Sequence, residues 1–179
     1  MNELPFELKT DTELQLAAAP DFQRGLEYGK PRPGHPEGAV KWHIAEVLAN
    51  VGNWYSGQPH YWDLRMIALI HDTFKFQVDA TRPKHGENHH AMLARRFAEK
   101  FLTDVAVLDV IELHDEAYNA WQKGSRDGNW ERAKERADAL LKRLADNLTL
   151  YLDFYRCDNA TGSKSNEPYD WFVAYADKS

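Results

Sequence analysis

Five polar sites interrupt the apolar stripes of this 179-residue chain: His43, the pair His71-Asp72, His90, His114 and Asp158. Helical cores are filled by Leu, Ile, Val, Phe and Ala, and an imidazole or carboxylate buried among them without a partner costs several kcal/mol. Read singly, each site needs its own explanation, such as a satisfied core histidine or a turn aspartate. All five carry metal-ligand side chains, so one shared partner answers them together, and a divalent metal is the simplest. Imidazole and carboxylate suit Mn, Fe, Mg, Co, Ni or Zn, while the single cysteine, Cys157, excludes a thiolate zinc cluster. Such a set holds one ion with open positions, or two ions bridged by Asp72. A bridged pair about 3.5–4 Å apart is a common device for directing water at phosphorus. His35, His60, His85 and His89 read as ordinary surface or loop histidines.

Helices must position these groups. A Pro/Gly cluster at Gly29–Pro36 sets off an N-terminal segment. Val40, His43, Ile44, Val47, Leu48 and Val51 then recur at steps of three and four, which predicts a helix from about Glu37 to Asn53. Trp54–Pro59 reads as a turn. The next helix aligns Leu64, Ile67, Ala68, His71 and Phe74, and a loop over Asp79–Asn88 follows it. A fourth segment places His90, Ala94, Phe97 and Phe101 on one stripe. A fifth runs unbroken from Thr103 into Trp121, with Val107, Val110, Ile111 and His114 aligned, and Gly124–Asn129 ends it. The strongest pattern runs from Trp130 through Ala133, Ala137, Leu141, Leu144, Leu148 and Tyr151 to Tyr155, and three further residues reach Asp158. The tail from Thr161 to Pro168 is polar, after which Trp171, Phe172 and Tyr175 predict a short closing helix. No alternation of strand type appears, so the expected fold is all-α.

Composition narrows the function classes. A hydrophobic fraction of 43% supports one full-sized core, and a net charge of −6 argues against a broad nucleic-acid-binding surface. No apolar run approaches the ~18 residues of a membrane span. The acidic opening, MNELPFELKTDTELQ, lacks the apolar core of a secretory signal, and one cysteine agrees with a reducing compartment, so a cytoplasmic location is expected.

The ordered set resembles the HD superfamily of metal-dependent phosphohydrolases. His-Pro-Glu-Gly-Ala-Val-Lys-Trp-His (35–43) is similar to the opening HD helix, including its form in bacterial CCA-adding enzymes. Leu-Ile-His-Asp-Thr-Phe-Lys (69–75) is similar to the HDxGK signature, with Phe74 where glycine is usual. His-His-Ala-Met-Leu-Ala (89–94) resembles the next family histidine, which a small residue follows four positions later; that spacing selects His90 over His89. Ile-Glu-Leu-His-Asp (111–115) and Phe-Tyr-Arg-Cys-Asp (154–158) resemble the last two positions.

The resemblance spans residues 35–160 and implies a single-domain HD-type helical bundle, with 1–34 as an extension and 161–179 as a tail packing on it. It implies His43, His71, Asp72 and Asp158 as the core ligands, with Asp72 bridging, and His90 and His114 completing a second metal. Lys75 would place its ammonium on a substrate phosphate, and Arg82 and Lys84 would line the mouth unless they are plain loop charges. The implied activity is hydrolysis of a small phosphomonoester or phosphodiester, nucleotide-like, by metal-activated water, with Asp72 and Lys75 as catalytic residues. The Gly-Tyr-Pro motif of the cyclic-dinucleotide branch is absent after His114, and nothing resembles a nucleotidyltransferase domain. Two alternatives share the ligand set: an oxygen-activating di-iron centre, and a catalytically silent metal-containing binding module. The expected partner is a small phosphorylated molecule rather than a membrane or nucleic acid. The aromatics Trp54, Tyr55, Tyr61, Trp62, Trp121, Trp130 and Trp171 suit base stacking, core packing or contact with a second copy of the chain.

Overall fold

A computed structural model describes residues 3–31, 36 and 38–178. They form α1 (Asp11–Ala18), α2 (Pro20–Leu26), α3 (Val40–Tyr55), α4 (Tyr61–Ile70), α5 (His90–Ala98), α6 (Val105–Leu113), α7 (Glu116–Ser125), α8 (Trp130–Leu144), α9 (Leu148–Asn159) and α10 (Glu167–Ala176). No strand occurs among the described residues, and the fold is an all-α bundle around one core. His35 and Glu37 lie outside the described residues. No helix is long and apolar enough to cross a membrane among the described residues.

Helix α4 is the axis of the bundle. Leu64, Ile67, Ala68, Leu69 and Ile70 are all fully buried, so apolar side chains surround its second half. It packs against α3, α5, α6 and α9, the four helices that bring up the remaining polar sites. The N-terminal pair belongs to the same core through Leu16, Phe22 and Leu26. Thr10 and Glu13 close a capping box on α1. The Glu13 carboxylate also receives Arg65 of α4 in a buried two-point contact, Nε to Oε1 at 2.8 Å and Nη2 to Oε2 at 3.0 Å. Gly25 of α2 lies so close to the turn after α4 that an added Cβ would stand 1.9 Å from the Thr73 carbonyl oxygen. Helix α2 therefore buttresses the turn that carries His71 and Asp72. At the far end Phe172 of α10 is fully buried against Tyr151 and Tyr155, which is the docking the tail pattern predicts.

Three of the expected helices differ from their periodicity. Helix α4 ends at Ile70, with His71 as its C-cap, and Phe74 reaches the core from the following turn. The stripe expected from Thr103 to Trp121 breaks at His114-Asp115 into α6 and α7. The Tyr151 hydroxyl makes that break tolerable: it accepts from Ala117 N–H at 3.1 Å and donates to the His114 carbonyl at 3.3 Å. Both freed backbone groups are thus satisfied inside the core. The long stripe from Trp130 breaks at Ala145, whose φ of 45° ends α8. Leu144 and Tyr151 are buried on either side, so the apolar spacing continues through a change of helix.

Candidate metal centre

The five sites separated in sequence converge, and mostly at helix ends. His43 lies within α3, His71 caps α4, His90 opens α5, His114 caps α6 and Asp158 stands in the last turn of α9. Two groups form. His43, His71 and Asp158 place their ligand atoms within 4.8 Å of one another, and so do Asp72, His90 and His114. In the first group His43 Nε2 lies 3.2 Å from His71 Nε2 and 3.0 Å from Asp158 Oδ1. In the second His90 Nε2 lies 3.3 Å from His114 Nε2.

Asp72 stands between them with one oxygen for each. Its Oδ2 is 3.7 Å from both His43 Nε2 and His71 Nε2. Its Oδ1 is 3.4 Å from His90 Nε2 and 3.5 Å from His114 Nε2. This is the arrangement a bridging carboxylate requires.

The hydrogen bonds behind the rings set their tautomers. His71 Nδ1 faces the Ala68 carbonyl at 3.0 Å and His114 Nδ1 faces the Ile111 carbonyl at 2.9 Å. A carbonyl only accepts, so each Nδ1 carries a proton, and in the neutral form of either ring the Nε2 lone pair is the one turned inward. Thr161 does the same for His43: its hydroxyl donates to the Asp158 carbonyl at 2.7 Å, leaving its oxygen to accept from His43 Nδ1 at 3.4 Å. His43 Nε2 thus lies at hydrogen-bond distance from both His71 Nε2 and Asp158 Oδ1, while His71 Nε2 stands 3.9 Å from the same carboxylate oxygen. A cation fits such a donor set, and the nitrogen, nitrogen and oxygen composition suits a borderline or hard divalent ion.

Burial and charge push the groups apart in pKa. Burial drives His71 down to about 3 despite the neighbouring carboxylates. Burial also works against a charged His114, but the Asp72 hydrogen bond and the Asp115 charge outweigh it and lift the ring to about 9. His90 is lowered, chiefly by burial. Burial would raise Asp72 and Asp158, yet Lys75 and the histidines hold the first well below the carboxylate range, and Lys164 with His43 holds the second there.

Several of these neighbours carry no signal in the sequence. Lys164 Nζ donates to both the Asp158 carbonyl and Oδ1 at 2.9 Å, although it sits in the polar tail, where no periodicity marks it. Gly162, with φ of 58°, turns that tail back, and its N–H is tied to Glu46 of α3 at 2.7 Å. Asn50 of α3 donates to the Cys157 and Ala160 carbonyls, which joins the end of α9 to α3 and holds Asp158 beside His43. Asn88 bonds the Asp79, Arg82 and Pro83 carbonyls and thereby shapes the loop that delivers His90. Lys75 ion-pairs with Asp72 itself, three residues away. Arg82 and Lys84 are exposed and take no part in lining the cavity.

A cavity of about 470 Å³ opens onto the centre. Asp72, His90, His114 and Asp158 meet it on one side, Lys75 and Lys164 flank them, and Tyr118 and Trp121 of α7 form an aromatic wall. Of the aromatics singled out in the sequence, Trp121 alone lines this space, while Trp54, Trp62 and Trp130 are exposed on the outer surface. His60 and His85 are exposed, as ordinary surface histidines are. The chain matches no protein-family model, no curated protein and no solved structure.

Proposed function

We propose that this chain is a metal-dependent phosphohydrolase that acts on a small phosphomonoester or phosphodiester of nucleotide type. The observation that carries the reading is the pair of ligand groups sharing Asp72 beneath a cavity flanked by two ammonium groups. The resemblance to the HD superfamily points the same way. His43, His71 and Asp158 would hold one divalent ion (Mn, Fe, Mg, Co, Ni or Zn) and His90 with His114 a second, with Asp72 between them. When bound, such ions polarise phosphoryl oxygens and lower the pKa of a coordinated water.

The chain's own groups supply the rest. Lys75 and Lys164 each hold a ligand carboxylate in its ionised form and keep further N–H donors for an anionic oxygen. Lining one cavity together, they favour a phosphoryl group over a neutral substrate. The Nδ1 contacts to the Ala68 and Ile111 carbonyls fix His71 and His114 so that neither ring has to turn when its Nε2 is engaged. The Tyr118 and Trp121 rings, 6.0 Å apart with their planes inclined at 29°, offer an aromatic surface to the organic part of the substrate.

The test is an assay of the Mn-loaded protein on a generic aryl phosphate and a bis-aryl phosphate, beside a folded Asp72→Ala variant. Hydrolysis of one ester class that falls at least ~100-fold in the variant is expected. Wild-type turnover surviving in Asp72→Ala would show that the activity does not belong to this site.

A further inference from the structure

The second ligand group has a neighbour that the HD pattern does not contain. Asp115 follows His114 as Asp72 follows His71, so the chain presents two His-Asp pairs, each at the end of a helix. Asp115 occupies the N-cap position of α7, where an aspartate ordinarily accepts from the first-turn N–H groups. Its side chain makes no such bond. Instead it lines the cavity, with Oδ2 at 3.8 Å from His90 Nε2 and 3.5 Å from His89 Nε2. Its Oδ1 is buried and has no hydrogen-bond partner. No lysine or arginine ion pair with Asp115 occurs among the described residues. A carboxylate that gives up its cap, keeps one oxygen buried without a partner and sets the other beside two imidazoles at the cavity is placed for a cation.

His89, His90 and Asp115 also fall within ligand distance of one another, but the hydrogen bonds separate their roles. His89 caps α5, and its Nδ1 accepts from Ala91 N–H at 3.4 Å. An accepting Nδ1 puts the proton of the neutral ring on Nε2, the nitrogen that faces Asp115. A protonated nitrogen does not bind metal, whereas it does orient a carboxylate.

The geometry points to Asp115 as an additional ligand of the second cation, reaching it from the His90 side of the Asp72, His90 and His114 group, with His89 as the residue that positions it. This rests on the two-cation reading of the centre. The second cation then has two carboxylates to balance its charge, one shared with the first ion and one of its own. It also keeps Asp115 out of the helix cap, which leaves the His114-Asp115 junction free to turn between α6 and α7.

The experiment is a Mn²⁺ and Co²⁺ titration of full-length wild-type, Asp115→Asn and His89→Ala proteins, read by bound metal after gel filtration and by the visible absorption of the Co²⁺ forms. Wild-type protein is expected to take up two equivalents. Asp115→Asn should keep the first at wild-type affinity and bind the second ~10–100-fold more weakly, with a changed Co²⁺ spectrum for that step alone. His89→Ala, which retains the carboxylate, should fall between them. If Asp115→Asn does not fold, Asp115→Glu and His89→Ala carry the comparison, Glu retaining the second equivalent. Two equivalents at wild-type affinity in both Asp115→Asn and His89→Ala would overturn the role of Asp115 while leaving the two-cation centre standing. Fewer than two equivalents in the wild-type protein would overturn both.

Discussion

His71 is an imidazole held where a proton is costly, and His114 is one held where a proton is welcome. The two make opposite contributions to the stability of the metal-free protein. The folded pKa of His71, about 3, lies below the ~6.5 of an unfolded histidine. Its contribution is therefore complete above pH 6.5 and is lost as pH falls towards 3, where the unfolded chain binds a proton that the folded one refuses. The folded pKa of His114, about 9, lies above the unfolded value. Its contribution is complete below pH 6.5 and is lost as pH rises through 9. Urea midpoints of the metal-free protein should accordingly peak near neutrality and decline on both sides, and a bound cation should abolish the alkaline decline by taking the place of the His114 proton. A midpoint that stays flat from pH 6 to 9.5 without metal would contradict this assignment. At this scale the sequence was informative wherever a histidine or aspartate interrupts an apolar stripe, because burial of a lone polar group demands a partner. It was silent on Lys164 and Thr161, which sit in a loop where neither periodicity nor burial can be read, and it gave Asp115 no role beyond following His114.

At the scale of elements, the chain uses helix ends to aim the His and Asp side chains of the centre. A side chain at a C-cap can lean back onto the carbonyl three residues earlier, and both His71 and His114 do so. Periodicity extends each helix across that point, because the apolar spacing of Val107, Val110 and Ile111 continues into α7 with Ala117 and Ala120, all buried. The break is made tolerable by a residue far away in sequence: Tyr151 of α9, whose hydroxyl partners the Ala117 N–H and the His114 carbonyl. Tyr151→Phe leaves the Ala117 N–H and the His114 carbonyl buried without that partner and should cost about 1–3 kcal/mol. Thermal unfolding checks it, with a drop of several degrees expected for a chain of this size. An unchanged midpoint would mean that the junction between α6 and α7 is held by other contacts.

On the scale of the whole molecule, the centre is secured by the N-terminal helices as much as by those that carry ligands. Glu13 and Arg65 are 1% and 3% exposed, and they pair across the gap between α1 and α4. Glu13→Ala would strand the Arg65 guanidinium in the interior and should cost about 3–5 kcal/mol, measured by urea unfolding. A loss below 1 kcal/mol would show that α1 is not integral to the bundle. That the fold is all-α was legible, since 3.6-residue spacing recurs from Val40 to Tyr155. Which helices touch was not, because apolar stripes are interchangeable until loops and caps decide their order. The decisive placement is that of Asp72, one oxygen towards His43 and His71 and the other towards His90 and His114. Metal content per chain, measured after dialysis of stripped protein against Mn²⁺, tests it most directly. Two equivalents in the wild-type protein, and at most one in a folded Asp72→Ala variant, are the expected result. One equivalent or none in the wild-type protein, or two in the variant, would contradict a centre built on Asp72.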